Sequence, residues 1–463
     1  MQTRDTSFGL IALSAIFSLA LLLTAAQAAA QTETILYNFP SESSQKTVGG
    51  SLPSSGLIFD SHGNLYGTTE WGGAYGPGTV FRLSPKAGGG WAEQSVHSFQ
   101  PLPSGFNPYG GLTMDAAGNL YGVTQRGGDS SACGGNGCGT VFELSPAAGG
   151  GWAGKFLHRF TGVGFDGAYP NGGLVLDGAG NIYGTTSQGG KGMCVEYTGG
   201  PVQGCGTVFE LSPTPSGPWK QTIVRTFEGA VLGAPSADGE DPVSGLIFDA
   251  NGNLYGTTSE GGKYGYGTVF ELSPKAGGGW SQKLLHVFNE SETDGYAPNA
   301  TMVFDKHGNL YGTTQYGGTG MCTDYSSDEV TGCGTIFELS PSAGSWTEKV
   351  VYSFQLNGTD GWFPTSSLIF NNGNLYGTTQ YGGAGFCGYE GNDFGCGTVF
   401  KVSYKEGSGW TETVLHGFQP DVTDGQNPNS SLVLDSHGNL YGTTISGGNN
   451  GATPGGTVFE IAP

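Results

Sequence analysis

One phrase of apolar and polar positions recurs along most of this chain. Its first copy reads GLIFDSHGNLYGTT, then EWGGAYGP, GTVFRLSP, KAGGG and WAEQSVHSF. Four short apolar-rich runs stand out in it, each bounded by Gly, Asp or Pro. Leu57 to Phe59 ends in the turn Asp60-Ser61-His62-Gly63, and Asn64 to Thr69 follows directly. Thr79 to Leu83 alternates Thr, Phe and Leu with Val and Arg, and Trp91 to Phe99 is the fourth run. Runs of this length, punctuated by turn residues, predict strands.

The core of the phrase, Gly-Asn-Leu/Ile-Tyr-Gly, occurs seven times, with its Asn at 64, 119, 181, 253, 309, 374 and 439. Four strands per repeat of 55–72 residues is the pattern of a β-propeller. The chain ends carry the strongest clue. The seventh copy stops after its third strand, Gly456 to Ile461, while Thr32 to Phe39 matches the fourth strand of the sixth copy, Thr411 to Phe418. The expectation is therefore an all-β fold: residues 31–463 form a single seven-bladed β-propeller of four-stranded antiparallel blades, and the N-terminal strand at 31–39 completes the last blade. Such closure leaves no open inter-blade seam and ties down both termini.

Composition agrees. The 463 residues include 88 Gly and 23 Pro, together with 26 Phe, 21 Tyr and 8 Trp, and only 12 % are charged. Dense glycine with dense aromatics fits many short strands and tight turns, excludes an all-helical fold, and supplies enough apolar mass for a core. The net charge of −21 argues against nucleic acid as a partner, since binding it relies on basic patches. Ahead of the repeats, Arg4 and the apolar run Leu10 to Leu23 precede two cleavage triplets, Ala26-Gln27-Ala28 and Ala28-Ala29-Ala30. This reads as a secretory signal over 1–28, cleaved after 28 or 30, with no membrane span thereafter. The expected product is a secreted or cell-surface monomer.

The Asp-x-x-Gly-Asn turn between two strands resembles the layout of NHL-type propellers. The whole phrase resembles more closely the Gloeobacter–Verrucomicrobia (GloVer) tandem repeat of exported bacterial proteins, over nearly all of the chain after the signal. That resemblance implies export, often with a C-terminal sorting anchor, and no settled biochemical activity. The sequence ends at Pro463 within a blade, so release or non-covalent surface retention is expected rather than covalent display.

All eight cysteines fall between second and third strands, two per loop: Cys133/Cys138, Cys194/Cys205, Cys322/Cys333 and Cys387/Cys396. Local disulfides are the economical reading in an oxidising compartment; a thiolate zinc site is the rival. The loops that hold them share one end of the propeller with the blade-to-blade connections, and all length variation lies there. Binding usually resides on such variable loops. The seven histidines occupy repeat positions, so neither a Ser-His-Asp triad nor a multi-His centre is indicated. Six tryptophans share the head of the fourth strand and read as packing residues. Trp71 and Trp362 are out of register, and Tyr316 and Tyr381 occupy the position of Trp71 in later copies. These four aromatics are the candidate contacts for a sugar ring or another apolar-faced ligand.

A second constellation lies in the connections, where x-Gly-x-x-Pro occurs seven times and Asp166, Asp238, Asp294, Asp360 and Asp424 precede the Gly. If the first strand lines the axis, these five carboxylates ring the channel mouth, where they would suit Ca²⁺ or a cationic ligand; Asp-Gly also favours a plain turn. The Asp-x-x-Gly-Asn turns lack the acidic series of an EF-hand and read as hairpin chemistry. No cofactor is required. The leading expectation is a binding module for extracellular glycan or another cell-envelope component. The alternatives are a propeller-type hydrolase, lyase or lactonase using the channel-mouth carboxylates, and a structural or adhesion protein.

Overall fold

A computed structural model describes residues 31, 33–40, 49–128, 131, 133–192, 194, 204–215, 217–228, 238–291, 293–323, 330–389, 392–421, 423–448 and 455–462. The signal segment and its cleavage triplets lie outside the described residues. The chain forms seven four-stranded antiparallel sheets, each a propeller blade. Blade one runs from the inner strand Ile58–Phe59 through Leu65–Thr69 and Thr79–Pro85 to the outer strand Trp91–Ser98. Blades two to six repeat this order over 113–159, 175–226, 247–287, 303–353 and 369–417.

Blade seven closes the ring as the chain ends predicted. Its inner three strands are Val433–Leu434, Leu440–Thr444 and Thr457–Ile461, and its outer strand is Glu33–Asn38. The register pairs Glu33 with Ile461 and Asn38 with Thr457. No α-helix occurs among the described residues, and none there is long and apolar enough to cross a membrane.

The core sits between blades. Each hydrophobic cluster combines residues of two successive blades. At every seam a Phe that ends one blade meets a third-strand Phe of the next, as in Phe99–Phe142, Phe288–Phe337 and, across the closure, Phe39–Phe81. The seven ring pairs lie 5.0–5.4 Å apart, tilted or edge-on, the geometry that aromatic quadrupoles favour. The register tryptophans pack across the same seams, for example Tyr66–Trp152 and Tyr255–Trp346.

The repeated phrase has local reasons. In the second strand, a Cβ on Gly312 would lie 2.5 Å from the ring of Phe337, so the glycine makes room for the seam. In the first turn, Asp60 accepts main-chain hydrogen bonds from His62 and Asn64 at 2.8 and 2.9 Å, and one from the Asn64 amide at 2.7 Å. Against burial, which acts upward, the hydrogen bonds from Asn64, His62 and Tyr66 hold its carboxyl below the usual range. The turn consumes its own carboxylate, as hairpin chemistry requires.

Candidate ligand-binding face

Strand order sends the second-to-third loops and the blade-to-blade connections to one end of the ring. At that end the two segments of one blade pair in a two-residue ladder that the sequence pattern did not reveal. Examples are Gly105–Phe106 with Arg126–Gly127, Gly295–Tyr296 with Tyr316–Gly317, and Gly361–Trp362 with Tyr381–Gly382. In blade four the ladder is a single bridge between Glu240 and Glu260. The connection glycine is dictated by contact: a Cβ on Gly361 would sit 1.9 Å from Thr379 Oγ1. The ladder backbone is thus shared, and its paired side chains vary from blade to blade.

In blades four to six, ladder side chains and neighbouring loop residues join into one aromatic run. Tyr266 meets Tyr296 at 5.1 Å, Tyr296 stacks on Tyr316 at 5.3 Å, and Tyr316 meets Phe363 edge-on at 5.2 Å. Phe363 contacts Tyr381 at 5.5 Å, and Tyr381 contacts Phe394 at 5.8 Å. Every member of this run is half-buried, so each ring keeps an accessible part. Tyr264, Met321, Val330, Leu356 and Phe386, all from loops of the same three blades and the same end, are exposed around it. Tyr266 also donates a hydrogen bond to Glu290; that bond, followed by burial, pushes its phenol up to about 12.

The four expected aromatics divide. Tyr316 and Tyr381 belong to the run. Trp362 does not offer an exposed platform, and this corrects the expectation: it is only 7 % accessible, covered by Phe363, Tyr381 and Phe394, and its Nε1–H donates to the Phe394 carbonyl at 3.2 Å. It anchors the loop beneath the run. Trp71 is 46 % accessible but stands in blade one, apart from the others.

The five aspartates also need correcting in place. They face the outer strands at the seams between blades, away from the channel mouth, because each is captured by its own connection. Asp360 accepts from the Gly361 and Gln355 amides at 2.8 and 2.9 Å and from the Tyr352 hydroxyl at 2.8 Å. Asp166 lies 3.2 Å from His158 Nε2 and accepts from the Gln221 amide of the next blade at 2.9 Å. Asp294 and Asp424 meet His286 and His416 in the same way, and Asp238 accepts from the Arg225 guanidinium. Turn formation accounts for Asp166, Asp238 and Asp360 without a ligand.

Sequence reasoning missed the third partner of these seams. In the five seams with an Asp, the residue two beyond the outer-strand tryptophan position lies against that Asp's connection, and it is Glu in Glu348, Glu412 and, on the closing strand, Glu33. Blade one also has Glu here, Glu93, with no Asp before its connection glycine. Burial, then the facing Asp294, pushes Glu348 up to about 7; burial and Asp424 do the same for Glu33, to about 7. Burial with Asp360 raises Glu412 to about 8. A signal was present: His158, His286, Tyr352 and His416 each precede their Asp by eight residues.

The channel is lined instead by neutral residues after each connection proline. Ser54, Tyr109, Asn171, Val243, Asn299, Thr365 and Asn429 surround a space of about 270 Å³, and no carboxylate or histidine among the described residues lines it. The four cysteine pairs are disulfides as expected, Cys133–Cys138, Cys194–Cys205, Cys322–Cys333 and Cys387–Cys396, and no cysteine is free.

Among solved structures, the fold is similar to that of an ulvan lyase, a polysaccharide lyase (TM-score 0.51, 12 % identity, 92 % of this chain and 95 % of that one). It is also similar to a luciferin-regenerating enzyme (TM-score 0.41, 15 % identity, 81 % and 96 %) and to a sialidase of Trypanosoma rangeli (TM-score 0.40, 10 % identity, 82 % and 56 %). At these identities the likeness concerns the fold alone. No curated protein matches the chain. The Gloeobacter/Verrucomicrobia repeat matches residues 21–197 and 190–389.

Proposed function

Given that the chain belongs to the Gloeobacter/Verrucomicrobia repeat family, we propose that it is an exported, monomeric binding module that holds an extracellular glycan or another cell-envelope component on the aromatic sector of blades four to six. The observation that carries this reading is the contiguous, part-exposed run from Tyr266 to Phe394, confined to one sector of one end. Flat rings on a rigid scaffold give large contact area at low entropic cost, and a sugar's C–H face fits them. Tyr264, Met321, Val330, Leu356 and Phe386 add exposed apolar surface on the same blades, the usual mark of an interaction surface. Trp71, Tyr75, Val163 and Phe165 are exposed on blades one to three without joining an aromatic run among the described residues. The net charge of −21 favours a neutral polymer over an acidic one. Export rests on the leader sequence together with four disulfides, which need an oxidising compartment. Ca²⁺ has no role in this reading. A hydrolase or lyase working through channel-mouth carboxylates loses its residues to the outer seams.

The test is co-sedimentation with a panel of insoluble neutral and acidic polysaccharides. Depletion by a neutral polymer, lost in Tyr316→Ala/Tyr381→Ala and kept in Trp71→Ala, is the expected result. Absence of depletion by every polymer would overturn the glycan reading.

A further inference from the structure

We propose that two of the seven seams are divalent transition-metal sites: His286, Asp294 and Glu348 between blades four and five, and His416, Asp424 and Glu33 between blades six and seven. In each triplet, one ligand atom from every residue lies within 4.8 Å of the other two. Ligands about 2.0–2.2 Å from a tetrahedral zinc ion stand roughly 3.4 Å from one another. His286 Nε2 is already 3.3 and 3.2 Å from the two Asp294 oxygens, and His416 Nε2 is 3.4 and 3.3 Å from those of Asp424.

A second observation is independent of this spacing. Glu348 Oε1 and Glu33 Oε1 are buried and have no hydrogen-bond partner. Glu93 Oε1 and Glu412 Oε1, at the same position of blades one and six, share that state, but only at the two triplets does the orphan oxygen face both an imidazole and a second carboxylate among the described residues. A buried acceptor left in that state is costly.

The other seams supply the internal contrast. Between blades two and three the third residue is Gln221, whose amide donates to Asp166, so that seam holds one imidazole and a single carboxylate. Between blades three and four the position of the imidazole is taken by Arg225, a built-in cation on Asp238. Between blades five and six Tyr352 replaces the imidazole and donates to Asp360. Among the described residues, only the two proposed seams unite an imidazole with two carboxylates.

One nitrogen and two oxygens suit Zn²⁺ or Mn²⁺, whereas Ca²⁺ takes six to eight oxygens. The inner carboxylate is oriented by its surroundings, as metal ligands usually are: Asp294 accepts from the Gly295 amide and from the Asn289 side chain, both at 2.8 Å. Each ion would bridge two blades. At the six–seven seam Glu33 comes from the closing strand, so the ion there would clamp ring closure, and its binding energy would add to folding.

The experiment titrates the full chain, stripped with a chelator, with Co²⁺ as the probe and follows its visible d–d absorption, then repeats the count with Zn²⁺ by calorimetry. Two tight equivalents are expected. Glu348→Gln and Glu33→Gln each remove one, and the double variant removes both. Gln221→Glu rebuilds the triplet with His158 and Asp166 and raises the count to three, which keeps the test decisive even if a loss variant folds poorly. A native chain with no tight site, or a stoichiometry indifferent to these substitutions, overturns the proposal.

Discussion

Two sectors of the same face share a backbone and differ in what they carry. In blades five and six the paired ladder positions hold Tyr296 with Tyr316 and Trp362 with Tyr381; in blades two and three they hold Phe106 with Arg126 and Ala168 with Gln188. The Gly, Thr and Phe residues beneath are the same in all four blades. A ring built this way separates two tasks: the repeated residues make the seams, and the ladder positions are free to change without disturbing them. Substitutions in the scaffold should therefore cost the same in both sectors, and substitutions in the ladder should not.

The largest effect tests the shared part. Phe337→Ala in blade five and Phe142→Ala in blade two each empty a fully buried seam position. Each should destabilise by about 4 kcal/mol in chemical denaturation, within error of the other. A clear inequality would mean that the sectors do not share one scaffold. Next comes the contrast within the out-of-register tryptophans. Trp362→Ala should cost about 3 kcal/mol, because the ring is buried under three aromatics. Trp71→Ala should stay within about 0.5 kcal/mol.

The repeat explains why the architecture could be read from the sequence while the site could be read only in part. Each seam Phe recurs seven times, and the turn Asp six times with Asn371 in the sixth copy, so the register of Thr32 to Phe39 against Thr411 to Phe418 sufficed to predict closure. Trp362 is different. Its burial depends on Phe363 and Tyr381 at its ladder and on Phe394 from an irregular loop, a coincidence of three places that no local pattern encodes. The aspartates were misplaced for a related reason: the residues just after each connection proline line the channel, and the Asp before it folds back onto its own connection. The spacing of eight from His286 to Asp294 and from His416 to Asp424 was legible, but its meaning depends on a Glu from the neighbouring blade.

The smallest effect sharpens the seam side of the comparison. Glu412 faces Asp360 and Tyr352, and burial with the Asp360 charge lifts its carboxyl from 4.5 to about 8. The folded chain holds this proton more tightly than the unfolded chain, so stability falls as pH rises through that window and levels off above it. Glu412→Gln should match the native chain near pH 5 and melt about 2 °C higher near pH 9. Thermal melts across that range check this, and an unchanged slope would count against the carboxyl pair.

The most direct test of the central claim compares the two sectors as binding surfaces. Affinity electrophoresis through gels containing the polysaccharide that depletes the native protein would compare Tyr316→Ala/Tyr381→Ala with Arg126→Ala/Gln188→Ala. The account predicts at least tenfold weaker retardation for the first pair, about 1.4 kcal/mol or more, and native retardation for the second. Equal retardation of both variants would contradict it.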